Sequence, residues 1–327
     1  MIHSLERLQM ENYRVIHTLD IEKLEPGVHH FFMDLVANGI GQDIHVPVMV
    51  AKGKYPGPCV GVTAVVHGNE LNGLRVVQQL MQKVDWDDLK GTVVGVPVVN
   101  VPAILNHQRR FNDDEDLNRI MPGREDGNMS DVYAARVMNR IISKLDYLID
   151  LHTASFGRIN SFYIRANMKN EVQRKMAELQ NADIILNNEG ADGTLRSAAS
   201  DLGIHAITLE VGDPNRFQKG MIRSGIEGVF NVLRHLEMIK GEVELADEEA
   251  VLCKSSYWLY ADRGGILEVY PDITQVVRKG EKVATIRNVF GAVVKEYFCP
   301  EDGIVIGKST HPVGQTGSRI LHLGLIQ

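Results

Sequence analysis

The sequence predicts an α/β fold, in which helices cover a mixed, largely parallel sheet, followed by a smaller all-β unit. Apolar strands alternate with amphipathic helical segments over residues 58–240, an order typical of such sheets. After the acidic stretch 241–250, short alternating runs separated by Gly, Asp and Pro turns replace the helices. We therefore predict two domains, at 1–245 and 246–327.

The strands are identified as short apolar runs bounded by turn residues. "PCVGVTAVV" stops at a histidine and a glycine, and "YLIDLH" also ends on a histidine. Four such runs are predicted to form the sheet, at 58–66, 91–100, 147–152 and 204–212.

The helices are identified by apolar residues at the three-and-four spacing that buries one face. One helix follows Leu71, and a second begins after Ser130, which we predict as its N-cap. The last spans about 219–240 and ends at Gly241. Residues 251–327 carry no comparable pattern, so we predict that they form the β-rich unit.

Composition excludes several classes of protein. The 327 residues are 44% hydrophobic and carry a formal net charge of -7, so no general attraction to nucleic acid or to an anionic membrane is expected. Cys59, Cys253 and Cys299 are too few and too scattered for a disulfide framework or a thiolate zinc site. A reducing cytoplasm is the expected compartment.

No membrane segment or targeting signal is predicted. No apolar run approaches the ~20 residues that cross a bilayer. The N-terminal stretch "MIHSLERLQMENYRV" is charged and lacks an apolar core, so it does not resemble a secretory signal. The sequence leaves the oligomeric state open, although a homodimer would be common.

Polar residues follow several predicted strands at the edge where functional groups collect in parallel sheets. His67, His152 and Glu210 each lie at or just beyond a strand end. "HGNE" at 67–70 joins a strand to a helix, where ligand geometry can be held fixed. The other H-x-x-E match, "HSLE" at 3–6, has no preceding strand, and we interpret it as chance.

These residues suggest a catalytic zinc site, which usually takes three protein ligands and leaves one position for water. His67 and Glu70 would supply two ligands, and His152 is the best third because it should stand on the same sheet edge. The alternative is a hydrogen-bonded structural histidine. Five other histidines are placed in a turn, in mid-helix or in the β-rich tail: His29, His30, His235, His311 and His322.

The charged loop at 108–123, "QRRFNDDEDLNRIMPG", lies between the predicted ligands. Its ordinary interpretation is a solvated loop, which we accept for most of its acids. An Asn–Arg pair there could hold a substrate carboxylate, because guanidinium offers a bidentate fork. Another arginine of the loop could stabilise the oxyanion that forms when water attacks a carbonyl.

Glu210 closes the apolar run "AITLE". A buried acid at such a position is costly unless it is paired or functional. It could accept the proton of a metal-bound water and pass it to a departing nitrogen. The alternative is a carboxylate that pairs with a core arginine.

Taken in order, "HGNE", "RFNDDEDLNR", "DLHT" and "TLEVG" resemble the motifs of the succinylglutamate desuccinylase/aspartoacylase family, in the zinc carboxypeptidase clan. The resemblance covers about residues 58–215. The β-rich tail is similar to the C-terminal domain of that family, and its pattern of short strands and turns is like that of lipoyl-type barrels. The family resemblance implies a zinc-carboxypeptidase-like fold and hydrolysis of an N-acylated amino acid or related small amine.

The resemblance also implies site roles. It assigns one zinc per chain to three ligands, namely His67, Glu70 and His152, with Glu210 as the base. It assigns Arg110 to the carbonyl oxygen, Asn118 and Arg119 to a substrate carboxylate, and Asp116 to the orientation of His67. The gap from Arg110 to Asn118 is one residue longer than in aspartoacylase itself, so Arg109 is the alternative oxyanion residue. Arg158 is our candidate for a second polar group of the substrate.

Three rival functions remain. A metallocarboxypeptidase that acts on short peptides would share these site residues. The C-terminal unit nevertheless favours a deacylase, because it could restrict access to the site to small substrates. A non-catalytic zinc-binding protein would usually lack a ligand or the base, and none is missing. A lipoyl-like carrier is disfavoured, since Lys279 and Lys282 flank only "GE". The acyl group, the amine and any second metal are not predicted.

Overall fold

A computed structural model describes residues 13–190 and 193–327. The "HSLE" match at 3–6, and residues 1–12 on which the secretory-signal interpretation mainly rests, lie outside this part. In the described part no helix is long and apolar enough to span a bilayer. The three cysteines are free, as expected.

The secondary structure alternates strands and helices up to residue 235 and continues with strands alone. Strands β1 to β10 occupy Arg14–Ile16, Gly27–Ala37, Asp43–Lys52, Tyr55–Ala64, Lys90–Val96, Tyr147–His152, Arg158–Asn160, Phe162–Ala166, Ile184–Asn187 and His205–Val211. Strands β11 to β18 occupy Val251–Tyr260, Gly265–Val269, Val276–Val277, Lys282–Arg287, Val293–Phe298, Gly303–Ser309, Val313–Gly314 and Arg319–Ile326. Helices α1 to α6 occupy Asn72–Lys83, Val101–Leu105, Met129–Arg140, Glu171–Glu178, Leu195–Asp201 and Lys219–His235.

The predicted α/β fold is confirmed. Strands β5, β4, β6 and β10 run parallel at the centre of a mixed sheet, and β8 is antiparallel to β10. Helices α1, α4 and α6 pack their apolar faces on one side of the sheet. Helices α3 and α5 pack on the other side, so the central strands are buried on both faces, as their apolar sequences require.

Two local predictions were wrong at element ends. The cap of α3 is Asn128 rather than Ser130, because the Asn128 Oδ1 accepts the Asp131 N–H at 2.9 Å. Helix α6 ends at His235 rather than near residue 240. Glu237 has a φ of 55°, which a right-handed helix cannot continue through.

Three of the histidines that we excluded as zinc ligands lie in other elements or positions than predicted. His29 and His30 lie in β2 rather than in a turn, paired antiparallel with β3. His235 is the last residue of α6 rather than a mid-helix residue. The alternating burial of β2, in which Phe31, Met33 and Leu35 are buried, is the half-buried strand pattern.

The β-rich tail joins the main sheet. Strand β11 pairs parallel with β9, and β18 and β16 extend the sheet beyond it. Strands β15, β14, β12 and β17 form a second sheet over a separate apolar core. The boundary predicted at 245 falls within 241–250, which forms neither helix nor strand. This connection brings side chains of β11 and β18 to the carboxyl edge of the central strands.

Candidate active site

The turn after β4 positions His67 and Glu70. Val65 has a φ of 58°, an unusual conformation for a β-branched residue, and its carbonyl accepts the Asn100 N–H at 2.8 Å. A Cβ on Gly68 would lie 2.2 Å from the Ala103 carbonyl carbon. The turn is therefore clamped against α2, which fixes the two polar side chains that follow the strand.

Three ligand-type side chains converge at the carboxyl ends of β4 and β6. The Nδ1 atoms of His67 and His152 are 3.2 Å apart. Each lies 2.9 Å from an oxygen of Glu70. All three residues are almost fully buried. The structure thus brings together the three predicted metal ligands.

Outer carboxylates determine which imidazole nitrogens face the centre. Asp116 Oδ1 lies 3.0 Å from His67 Nε2, and Asp150 Oδ2 lies 2.8 Å from His152 Nε2. Because a carboxylate only accepts, each Nε2 donates its proton outward, and each Nδ1 faces Glu70, where its lone pair would be available to a bound cation. Asp116, the residue that the resemblance assigned to the orientation of His67, thus lies against that ring. Asp150 was missed, although it precedes His152 by two residues on one face of β6.

This donor set fits a divalent cation. Two imidazole lone pairs and a carboxylate converge with ligand atoms within 4.8 Å of one another, and electron-pair donors held so close need a shared positive charge. Burial alone would lower the pKa of His152, but Asp150 and Glu70 outweigh it and raise the pKa well above its ordinary value. Two His and one carboxylate is a common zinc set.

Glu210 lies beside this group, at the end of β10. Its register partner across the sheet is His152, so both side chains point to the same face. Its Oε2 accepts a hydrogen bond from Asn160 at 3.2 Å, and its Oε1 accepts one from Tyr163 at 3.3 Å. Burial raises the pKa of Glu210 against the opposing charges of Arg165 and His152. A raised pKa strengthens the carboxylate as a proton acceptor.

Sequence reasoning missed Tyr163 and Arg165, which lie on β8. The Arg165 guanidinium donates to the Tyr163 hydroxyl at 2.7 Å and lies 3.8 Å from Glu210. Glu210 therefore lies beside the candidate metal ligands and also forms a weak ion pair with Arg165. Its environment fits in part both interpretations, a functional carboxylate and a carboxylate paired with a core arginine. The signal available in the sequence was the i, i+2 spacing of Tyr163 and Arg165 on an otherwise apolar strand.

The loop at 108–123 contributes Arg109 rather than Arg110. Arg109 donates to Glu70 Oε1 at 2.7 Å and to Asp116 Oδ2 at 3.1 Å, and it lines the cavity. Arg110 is exposed and pairs with Asp114. Phe111 is fully buried, so the chain turns Arg109 inward and Arg110 outward. The structure does not bring Arg110 to the site, and the prediction that placed it there is corrected.

Asn118 and Arg119 line the same cavity. The Asn118 Oδ1 accepts the Leu195 N–H at 2.8 Å, which leaves the amide N–H groups as its free donors. The Arg119 guanidinium donates to the Asn118 carbonyl at 2.7 Å. Beside them the buried Arg196, another residue that sequence reasoning missed, donates to the Asn188 carbonyl at 2.8 Å.

The cavity has a volume of about 340 Å³, within the usual range for small-molecule sites. Arg158 also lines it, as do Trp258 and His322 from the β-rich tail. Only two of its lining residues are acids, Glu70 and Glu210, among the residues that the structure describes. Six are arginines: Arg109, Arg119, Arg158, Arg165, Arg196 and Arg319. The cavity therefore favours anionic ligands.

The fold and the site together define an α/β protein with a candidate metal centre at the carboxyl edge of a largely parallel sheet. Residues 56–236, more than half of the chain, match the family model described as the succinylglutamate desuccinylase/aspartoacylase catalytic domain. The chain belongs to this family, as its motifs indicated.

Two curated relatives and one solved structure illustrate the likeness. An N-alpha-acetyl-L-2,4-diaminobutyric acid deacetylase from Halomonas elongata is 24% identical over 89% of each chain. A succinylglutamate desuccinylase from Pseudomonas paraeruginosa is 28% identical over 48% of this chain and 51% of its own. The product-bound ectoine utilization protein EutE from Ruegeria pomeroyi is 22% identical, with a TM-score of 0.84 over 92% of this chain and 96% of its own. At that identity the structural likeness shows the fold.

Proposed function

We propose that this protein is a zinc-dependent amidohydrolase that cleaves the amide bond of an N-acylated amino acid or a related small amine. The observation that carries the proposal is the buried Glu210 beside a His–Glu–His group, in a cavity rich in arginine. The names of the two curated relatives, a deacetylase and a desuccinylase, support the same reaction class.

His67, Glu70 and His152 would hold one zinc ion per chain. When bound, zinc supplies Lewis-acid activation of a water molecule and of the scissile carbonyl. Asp116 and Asp150 would keep the Nδ1 atoms of the two histidines available to the ion, because each carboxylate lies at the Nε2 atom of its histidine.

Glu210 is the proposed proton carrier. It accepts a proton from the attacking water and delivers it to the amide nitrogen as the C–N bond breaks, so that a carboxylate and a free amine leave. Asn160 and Tyr163 hold its carboxylate in place. Burial raises the pKa of the Tyr163 hydroxyl, so this group stays protonated and donates.

The remaining polar groups bind and orient the substrate. Arg109 is placed to donate to the carbonyl oxygen as negative charge develops there, since its guanidinium lies against Glu70. Asn118 and Arg119 would hold the carboxylate of the amino acid through directed N–H donors. Side chains of β11 and β18 line one side of the cavity, and this narrowing favours small substrates over polypeptides.

The proposal is tested by a turnover screen on zinc-loaded protein. N-acetyl and N-succinyl amino acids are compared with short peptides, and released amine is measured with Glu210→Gln as the blank. We expect release from acyl-amino acids that the variant abolishes. Cleavage of peptides alone would replace the proposal with a metallocarboxypeptidase. Zinc binding without any turnover would indicate a non-catalytic zinc protein.

Arg109 and Arg110 form a matched pair for testing the oxyanion role. Arg109→Gln is expected to lower kcat by about 10²–10³-fold, the usual cost of losing an oxyanion donor. Arg110→Gln should leave kcat within about twofold, because a surface ion pair contributes little. Steady-state kinetics and zinc content are measured together. A loss of zinc in Arg109→Gln would assign this arginine to holding Glu70 and Asp116 instead.

A further inference from the structure

Three neighbouring strands at the edge of the main sheet bring imidazole and carboxylate side chains into one row. Strands β1 and β2 are parallel, with Ile16 beside Met33, so His17 follows beside Asp34. Strand β3 pairs antiparallel with β2 on its other side, where His45 is the register partner of Asp34. His17 Nδ1 lies 3.1 Å from Asp34 Oδ2, and His45 Nε2 lies 3.8 Å from Asp34 Oδ1. Each oxygen of this carboxylate thus faces a different imidazole.

A β-bulge adds a second carboxylate to this row. Between Asp34 and Val36 the register of β2 against β3 shifts by one residue, and Leu35 and Val36 both pack into the core. Without the shift Val36 would lie opposite Asp43, on the face of the row. Bulges at sheet edges commonly re-aim a side chain in this way. As a result, ligand atoms of Asp34, Asp43 and His45 lie within 4.8 Å of one another.

The surrounding structure holds this group in place. The Asp34 carbonyl accepts a hydrogen bond from Arg140 Nη1 at 2.6 Å, and the His45 ring lies 6.1 Å from the Phe32 ring. The side chains of Asp34 and His45 are only 23% and 28% exposed. Among residues 13–190 and 193–327, no lysine or arginine forms an ion pair with Asp34 or Asp43. The bases that face these carboxylates are imidazoles, which are themselves common metal ligands.

We propose that Asp34, Asp43 and His45 form a second metal site, which takes a divalent first-row transition ion and leaves its remaining positions to water. One imidazole with two carboxylates suits Mn²⁺ or Zn²⁺ better than Ca²⁺, whose ligands are all oxygens. His17 holds the other oxygen of Asp34, as outer partners of ligating carboxylates do. The ion cross-links β2 and β3 at the edge of the sheet.

This second site is separate from the proposed reaction. Strand β5 lies between β3 and β4, the strand that leads to His67, and Asp34, Asp43 and His45 do not line the cavity. Asp43 is exposed and the other two ligands are partly exposed, whereas the His67–Glu70–His152 group is almost fully buried. The ion of the second site therefore exchanges with solvent and is removed by dialysis.

The experiment uses Mn²⁺ as the probe, added to zinc-loaded and then dialysed wild-type protein. Electron paramagnetic resonance follows the loss of the free-ion signal. Zinc content is measured in the same samples, since Zn²⁺ binds a given site more tightly than Mn²⁺ and should stay in the buried centre. We expect one equivalent of bound Mn²⁺ per chain in addition to zinc. Tm should rise with Mn²⁺, because an ion that binds only the folded state stabilises it.

Variants assign the Mn²⁺ to the three ligands. Asp34→Asn, Asp43→Asn and His45→Ala should each weaken Mn²⁺ binding by about 100-fold or more, since loss of an outer partner of a ligand already costs 10–100-fold. Each should also lose the rise of Tm, with zinc content unchanged. Thermal unfolding without added Mn²⁺ shows whether each variant is folded. His30→Ala is the matched control, because His30 is exposed on the same strand and outside the row.

Three outcomes would overturn the second site. The wild-type protein would bind no Mn²⁺, or Mn²⁺ would bind all three variants with wild-type affinity, or it would replace zinc so that the total metal content stayed the same. None of these outcomes bears on amide hydrolysis, which the turnover screen tests separately.

Discussion

Replacement of Glu210 by glutamine is expected to lower kcat by about 10²–10⁴-fold, the usual contribution of a general acid–base group. Glutamine keeps the size and hydrogen-bonding shape of the side chain but cannot accept the proton of water. Because Glu210 is buried and held by Asn160 and Tyr163, the fold should persist. Steady-state kinetics and thermal unfolding measure the two effects separately.

Glu227→Gln is the matched control for this variant, since Glu227 is an exposed acid on α6. Its kcat should equal that of the wild type. A Glu210→Gln protein that retained wild-type kcat with normal zinc content would remove Glu210 from the proposed mechanism. A variant that had lost zinc would show instead that Glu210 supports the metal site.

Removal of one proposed zinc ligand should lower activity at least as much as the loss of Glu210. His67→Ala is expected to weaken zinc binding by more than about 100-fold, because even outer partners of ligands cost 10–100-fold. Turnover should disappear with the metal. The alanine also leaves Asp116 without its imidazole partner. Metal analysis after dialysis, and the shift of Tm when zinc is added back, measure the loss independently of activity.

His235→Ala provides the control, because His235 is exposed at the end of α6. That protein should bind one zinc ion and gain stability from zinc as the wild type does, since a ligand that binds only the folded state raises its stability. Wild-type zinc content in His67→Ala would show that the His67–Glu70–His152 group is not the metal site.

Local sequence was sufficient for much of the fold and for the centre of the site. The central strands are apolar throughout because both of their faces are covered, so their positions followed from hydrophobicity alone. His67, His152 and Glu210 were placed at strand ends by the same reasoning, and in a parallel sheet those ends share one edge. The alternation of strands and helices already implied a parallel sheet, and the convergence of these residues followed from that topology.

The positions of residues that do not lie at strand ends could be determined only from the tertiary structure. Spacing could not decide between Arg109 and Arg110, because the orientation of adjacent side chains in an irregular loop depends on the burial of Phe111. The histidines of β2 were misplaced although Phe31, Met33 and Leu35 alternate along that strand and are buried. Helix ends could not be placed locally, since a cap depends on one hydrogen bond that several neighbouring residues could make.

The sequence by itself determined the α/β core, the β-rich tail and the three candidate ligands with their neighbouring acid, because each depends on a periodic pattern or a strand end. Only the tertiary structure showed that Asp150 orients His152, that Arg165 faces Glu210, and that Arg158, Trp258 and Arg319 meet at one end of the cavity. These contacts join segments distant in the chain. They depend on strand register between the core and the tail, which no local pattern encodes.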